Sequence, residues 1–207
     1  VYDATCVGRR GNGLTPVWWT GAYLYGGLGR LDAWTGARSW PEALAWLGTV
    51  CPDRPIAEIQ YWGHGHWGEV MLGDTRIDGS STAPASPLRP ALERIRDRMV
   101  PGDASGTGSG TGAAWWFRTC DTFGSARGHA FAQRWTALFG RPAAGFTHVI
   151  GPWQSGLHRL APGDAPHWPA SEGIAIGTPD APKLSTGSRP GLPNTITFLQ
   201  NRVPPTW

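Results

Sequence analysis

The sequence predicts an α/β fold, a mostly parallel central sheet flanked by helices in a three-layer sandwich. Three observations carry this. Two mostly apolar runs, residues 56–62 and 114–119, read as buried strands of such a sheet. Two apolar stripes at helical spacing, Leu88-Ala91-Leu92-Ile95-Met99 and Phe131-Trp135-Leu138-Phe139, read as helices that cover it. The elements run strand, helix, strand, hairpin, helix, strand, helix, strand, an order that suits crossovers between parallel neighbours. The 207 residues are read as one domain, 1–207, long enough for a substantial core.

Taken in order, residues 1–7 form a first strand and residues 8–13 a Gly/Arg loop. In residues 14–37 the glycines at 21, 26, 27, 29 and 36 weaken any helix. Trp18, Ala22, Tyr25 and Leu28 still recur at helical spacing, which gives a glycine-broken helix. Ser39-Trp40-Pro41-Glu42 is a capping box, the serine accepting and Glu42 reaching back. Its helix sets Trp40, Ala43, Leu44 and Leu47 on one face and ends near Gly48. Residues 51–55 turn into strand 56–62, and residues 69–77 form a hairpin with its turn at Gly73-Asp74. Ser86-Pro87 supplies an N-cap and a proline at the first helical position. Arg94, Arg96, Asp97 and Arg98, opposite the apolar stripe, are a solvated face. Residues 101–112, PGDASGTGSGTG, are low-complexity. After strand 114–119, helix 126–139 stops at Gly140-Arg141-Pro142. Strand 145–150 and Gly151-Pro152-Trp153 complete a recognisable core, 1–153. The Gly/Pro/Ser-rich extension 154–207 packs on it as loops, a hairpin and a terminal strand at 195–199.

Composition sets bounds. A formal net charge of +3 is too small to argue for nucleic acid. No apolar run approaches about 18 residues, so no transmembrane helix and no membrane partner are expected. No signal-peptide pattern is read. Cys6, Cys51 and Cys120 form no disulfide framework. A Cys6–Cys51 bridge stays open beside the simpler reading, reduced thiols in the cytoplasm. Thirteen Trp, 30 Gly and 19 Pro imply many turns, large aromatic anchors and few long helices.

Chemistry concentrates at the ends of the two buried strands. Strand 114–119 ends on Cys120, the turn Asp121-Thr122-Phe123-Gly124 follows, and a helix opens near Ser125. A thiol at the carboxyl end of a strand stands where an open α/β sheet places its chemistry. A helix N-terminus beside it can lower its pKa. The plain alternative for a single cysteine is a small buried hydrophobe. Strand 56–62 runs into Gly63-His64-Gly65. His64 can meet Cys120 in space and form the pair used in thiol nucleophilic catalysis. The glycine after it can offer an N–H to an oxyanion.

These residues resemble the caspase-like cysteine peptidases, the group of caspases, metacaspases, gingipains, separases and CHAT domains. There a hydrophobic strand ends in His-Gly, and a later one ends in a small residue followed by the catalytic cysteine. Thr119-Cys120-Asp121-Thr122-Phe123-Gly124 is similar to the Ala-Cys-x-Thr-Gly run of CHAT domains. Gly151-Pro152-Trp153 follows strand 145–150 much as a small-Trp-Pro turn follows there. The resemblance covers residues 1–153; Phe123 before the glycine and Arg118 before the cysteine depart from the pattern. It implies a caspase-like sandwich and a cysteine endopeptidase acting on a protein or peptide. Cys120 would attack, His64 would protonate the leaving amine, and the N–H groups of Gly65 and Cys120 would hold the oxyanion. No cofactor and no third catalytic residue are implied. Relatives are controlled by a partner protein, internal cleavage or a signal ligand, and residues 101–112 are the cleavage candidate.

Arg118 shares a strand face with Cys120. In metacaspase-like relatives that position tends to be acidic and basic residues are preferred. The reversed sign implies a preference for Asp or Glu before the cut, with Arg9 and Arg10 contributing from the same sheet edge. Pairing of Arg118 with Asp121 or another internal carboxylate is the equal alternative. Trp67 and Trp153, in turns at the sheet edge, are read as cleft walls, and Trp115 and Trp116 as core. His66 invites a His-x-His metal reading, but no nearby cluster completes a ligand set, so no metal is expected and His66 lines the cleft. His129, His148, His158 and His167 carry no motif. Two other functions stay open: a catalytically silent caspase-like protein-binding module, and a Trp-rich carbohydrate-binding or Zn-dependent hydrolytic domain.

Overall fold

The computed structural model describes residues 1–8, 13–100, 114–200, 202–204 and 207. The chain opens with β1 (Tyr2–Asp3) and α1 (Thr15–Gly27). Two glycines expected to break α1 instead let it dock. A methyl on Gly21 would overlap the Trp62 ring, and one on Gly26 the Trp34 ring. After β2 (Gly36–Ala37), α2 (Trp40–Leu47) starts at Ser39, whose Oγ accepts the Glu42 N–H at 3.4 Å. Glu42 reaches past its expected partner and accepts the Arg38 N–H at 2.7 Å. β3 (Glu58–Trp62) follows. Then come β4 (His64–His66), β5 (Glu69–Leu72) and β6 (Thr75–Asp78), which form an antiparallel meander. The β5–β6 hairpin is expected. β4 is not, because Gly-His-Gly-His offers no apolar alternation to read.

A 3-10 turn (Gly79–Thr82) precedes α3 (Arg89–Arg98), which begins after Leu88 rather than after Ser86; Ser86 Oγ accepts the Leu88 N–H at 3.3 Å. Residues 101–112, the expected cleavage point, lie outside the described residues. β7 (Ala114–Arg118) leads to α4 (Ser125–Phe139), which ends at Gly140 in the left-handed region, φ 59°. β8 (Ala143–Phe146) lies earlier than the expected 145–150. Its alanines pair with Trp115 and Trp116, setting small side chains beside large ones. β9 (Trp153–Gln154), β10 (Leu157–Leu160), β11 (Ile174–Gly177), β12 (Pro182–Ser185) and β13 (Ile196–Thr197) complete the described elements.

The central sheet runs β10-β8-β7-β3-β1-β2. β10 is antiparallel to β8 and the other neighbours are parallel. The extension after residue 153 is therefore not a peripheral addition, since β10 is an edge strand of this sheet. One face carries Trp115, Phe117 and Tyr61 against α2, α3 and α4. The other carries Trp62, Trp116 and Arg118 under α1, with Tyr25 edge-on to Trp62. Trp115, Phe117, Phe131, Trp135 and Phe139 form one aromatic cluster that clamps β7 to α4. Each such pair adds about 0.5–1.5 kcal/mol beyond its burial. Trp135→Ala should therefore cost about 3–5 kcal/mol and loosen the turn between β7 and α4. Among the described residues no helix is long and apolar enough to cross a membrane.

Candidate active site

β3 and β7 pair in parallel from Glu58 opposite Ala114 to Trp62 opposite Arg118. His64 and Cys120 each stand two residues beyond that last pair. The paired strands, about 4.8 Å apart, have ended by then: His64 opens β4 of the separate meander and Cys120 begins the turn to α4. The strand order reverses between β1 and β3. The crevice outside their carboxyl ends, where open α/β sheets bind ligands, therefore adjoins His64. The His64 ring also meets Trp18 of α1 edge-on, centroids 5.2 Å apart.

Gly65 lets the two strand ends close up. A Cβ there would fall 2.7 Å from Thr119 Cβ and overlap the Thr122 hydroxyl. The Thr119 and Thr122 hydroxyls hydrogen-bond at 2.6 Å, and Thr122 Oγ1 donates to Cys120 O at 3.1 Å. The β4–β5 hairpin closes at His66 and Glu69 across Trp67 (φ 28°) and Gly68 (φ 86°), both left-handed. Hydrogen-bonded pairs alternate from that closure, so Gly65, opposite Val70, turns its N–H away from β5. The Cys120 N–H has no backbone acceptor among the described residues. Gly65 and Cys120 are the residues whose N–H groups the sequence offers as oxyanion donors.

Cys120 itself is half-buried. Burial pushes its thiol up from the usual 9.0; the Ile150 N–H opposes this and Asp121 adds to it. The lowering expected from a helix start is overturned. The first N–H groups of α4, on Ser125 and Ala126, already donate to Ala170 O and Pro179 O. Cys6, Cys51 and Cys120 are all free thiols, so no Cys6–Cys51 bridge forms.

His66 does not stand loose in the cleft. Its Nδ1 lies 3.1 and 3.3 Å from the two oxygens of Asp121. The Asp121 side chain is 2% exposed and that of His66 45%. Ser185 of β12 donates to Asp121 Oδ2 as well. The Trp67 ring packs on the His66 ring, centroids 3.8 Å apart. Sequence reasoning missed Asp121 and Ser185. Asp121 is readable as the neighbour of Cys120, but its partner depends on β4; nothing marks Ser185. Among the described residues no group of three or more His, Cys, Asp or Glu side chains converges as a metal-ligand set.

Arg118 is 3% exposed, which overturns its reading as a substrate-binding residue. Its guanidinium donates to Tyr25 Oη at 3.0 Å, Gln154 Oε1 at 3.1 Å, Phe198 O at 2.7 Å and Gln200 O at 3.3 Å. It also faces the Trp62 and Trp116 rings at 5.0 and 4.4 Å. Asp121, its alternative partner, faces His66 instead. Arg9 and Arg10 lie outside the described residues. Trp67 is buried beneath its turn and forms no exposed wall. Trp153 is 42% exposed but sits on β9, opposite Thr197, rather than in a turn.

Four histidines without a motif gather behind the Cys120 turn. His158 Nε2 and Thr147 Oγ1 both reach Glu172 Oε1, at 2.8 and 2.7 Å, and Thr147 Oγ1 also meets His148 Nδ1 at 2.9 Å. Trp168 stacks on His158 and touches His129 and His167 edge-on, while its Nε1 donates to Phe123 O. His148 O accepts the Asp121 N–H at 3.0 Å, which ties this network to the turn. No family model matches the chain, and neither does any curated protein or solved structure.

Proposed function

We propose that the chain is a cysteine endopeptidase of caspase-like type, with Cys120 as nucleophile and His64 as acid/base. The observation that carries the reading is the shared register. Trp62 pairs with Arg118, so His64 and Cys120 each follow by two residues the ends of adjacent parallel strands, which supports a shared site. In the first step the Cys120 sulfur bonds to the carbonyl carbon, and the thiol proton passes through His64 to the leaving amine as the C–N bond breaks. Water then hydrolyses the thioester and restores the thiol. The Gly65 and Cys120 N–H groups hold the oxyanion, each worth about 3–4 kcal/mol of barrier. The preference for an acidic residue is not carried forward, because the Arg118 donors serve Tyr25, Gln154, Phe198 and Gln200.

The thiol raised by burial supports two further points. Within the peptidase reading, it favours a resting state that an activating partner protein or a ligand relieves. It also favours a second reading, a protein-binding module without turnover. A peptide bearing a thiol-reactive electrophile separates them. The peptidase reading expects one adduct, on Cys120, absent from Cys120→Ala with Cys6 and Cys51 intact and slowed in His64→Gln. Adducts confined to Cys51, or labelling unchanged in Cys120→Ala, would sink it.

A further inference from the structure

We propose that His66 is a second working imidazole of this site, the base that activates water against the Cys120 thioester, and that Asp121 is its positioning residue. The inference rests on the peptidase reading. Asp121 follows Cys120 directly, so the carboxylate that grips His66 hangs from the nucleophile's own backbone. That carboxylate is almost fully buried. Its oxygens meet His66 Nδ1 at 3.1 and 3.3 Å, and Ser185 also donates to it.

The contact fixes the proton. A buried carboxylate accepts, so in the neutral imidazole Nδ1 carries the hydrogen and Nε2 the lone pair. A base oriented by a third group is the arrangement of an acyl-transfer triad. His64 has no such orienting partner among the described residues; its recorded neighbour is the Trp18 ring edge. The two imidazoles also differ in access. His64 is half-buried under α1, suited to a proton passed to a bound leaving group. The His66 side chain is 45% exposed, where water arrives. In the second step the water oxygen bonds to the thioester carbonyl carbon and its proton goes to His66 Nε2. The C–S bond then breaks and that proton returns to the sulfur.

A nitrophenyl ester of an N-acyl amino acid isolates this step, because its leaving group needs no protonation. The full chain should give a burst of nitrophenolate, one equivalent of acyl group mapped to Cys120, and a slower steady rate. His66→Gln should keep the burst and lower the steady rate about 10²–10⁴-fold, the usual contribution of a general base. Acyl-enzyme should accumulate by intact mass. His66→Ala should behave alike and recover part of its steady rate with added imidazole, which a merely structural role would not allow. Asp121→Asn, which can donate to Nδ1 and reverse the tautomer, should also slow the steady rate and keep the burst. A parental steady rate in His66→Gln, burst and steady rate falling together, or no imidazole rescue would overturn the proposal. No Cys120 adduct in the parent chain would overturn the peptidase reading with it.

Discussion

Gly65 and Thr119 meet with no room for a methyl group between them: a Cβ on Gly65 would stand 2.7 Å from Thr119 Cβ. This contact sets how closely the histidine strand end approaches the cysteine turn. The Thr119–Thr122 hydroxyl pair, which the same Cβ would strike, leaves the threonines little freedom to yield.

Gly65→Ala should therefore act as a wedge. Overpacking of this kind costs about 1–3 kcal/mol. The larger effect falls on function, since displacing reacting groups by 1 Å can cost about 10²-fold in rate. Thermal unfolding and the rate of Cys120 adduct formation, measured together, check it. A full labelling rate in a folded Gly65→Ala chain would refute the role given to this contact.

Arg118 should behave as a structural cross-link. Arg118→Met keeps apolar bulk against Trp62 and Trp116 but leaves Gln154 Oε1 without its donor, and Phe198 O and Gln200 O with the one Tyr25 hydroxyl to share. Each acceptor that stays dry costs about 1–3 kcal/mol. The segment carrying Phe198 and Gln200 should lift toward water, so amide exchange at Ile196–Thr197 should quicken at least tenfold, about 1.4 kcal/mol. Peptides differing only in an acidic or neutral residue before the cut should be handled alike by the parent chain. Unchanged exchange in Arg118→Met, or a strong acidic preference in the parent, would contradict this.

How much of this is legible in the sequence follows from how local each signal is. β7 and α4 can be read because an unbroken apolar run and a helical stripe each stand within a dozen or so residues. Cys120 and His64 stand out because each lies two residues past the end of its strand. β10 is missed because Leu157-His158-Arg159-Leu160 is short and half polar, with nothing to announce a strand of the main sheet. Arg118 misleads because an arginine at a strand end reads as a free charge, while two of its acceptors lie 36 and 82 residues further along. His66 is seen but not placed. Its partner Asp121 appears once β4 folds back from β3, an event that the triplet His-Gly-His does not encode by alternation.

Cys51 and Cys120 should separate by reactivity. Cys51 is exposed, while Cys120 is half-buried and pushed up in pKa. The thiolate is the reactive form. A small neutral alkylating agent at pH 7 should thus modify Cys51 before Cys120, and Cys120 should gain speed as pH rises past the usual thiol range. A peptide electrophile should reverse the order, because binding in the cleft offsets the low thiolate fraction. Site-resolved mass spectrometry reads both. Cys120 labelling first with the small agent would contradict the burial argument.

Acid should weaken the fold in two stages, through the network behind the Cys120 turn. Burial holds His148 below its usual 6.5, opposed by Glu172 and Asp121 and reinforced by His158. His129 and His167 are lowered for the same leading reason. Once the pH falls below about 6.5, the unfolded chain binds protons that the folded histidines refuse, so stability declines. Glu172 follows at lower pH. Burial would raise it, but His158, Thr147 and His148 together bring it below its usual 4.5. Its contribution is present above 4.5 and is lost as pH falls through the lowered value. Tm should fall between pH 6.5 and 5, and fall again below 4.5. His148→Gln, which can keep a hydrogen bond to Thr147, should flatten the first decline and leave the second. A level Tm from pH 7 to 5 in the parent, or the same slope in His148→Gln, would show that this cluster does not govern acid stability. Because His148 O accepts the Asp121 N–H, Cys120 labelling by the peptide electrophile should fade over the first window and persist better in His148→Gln.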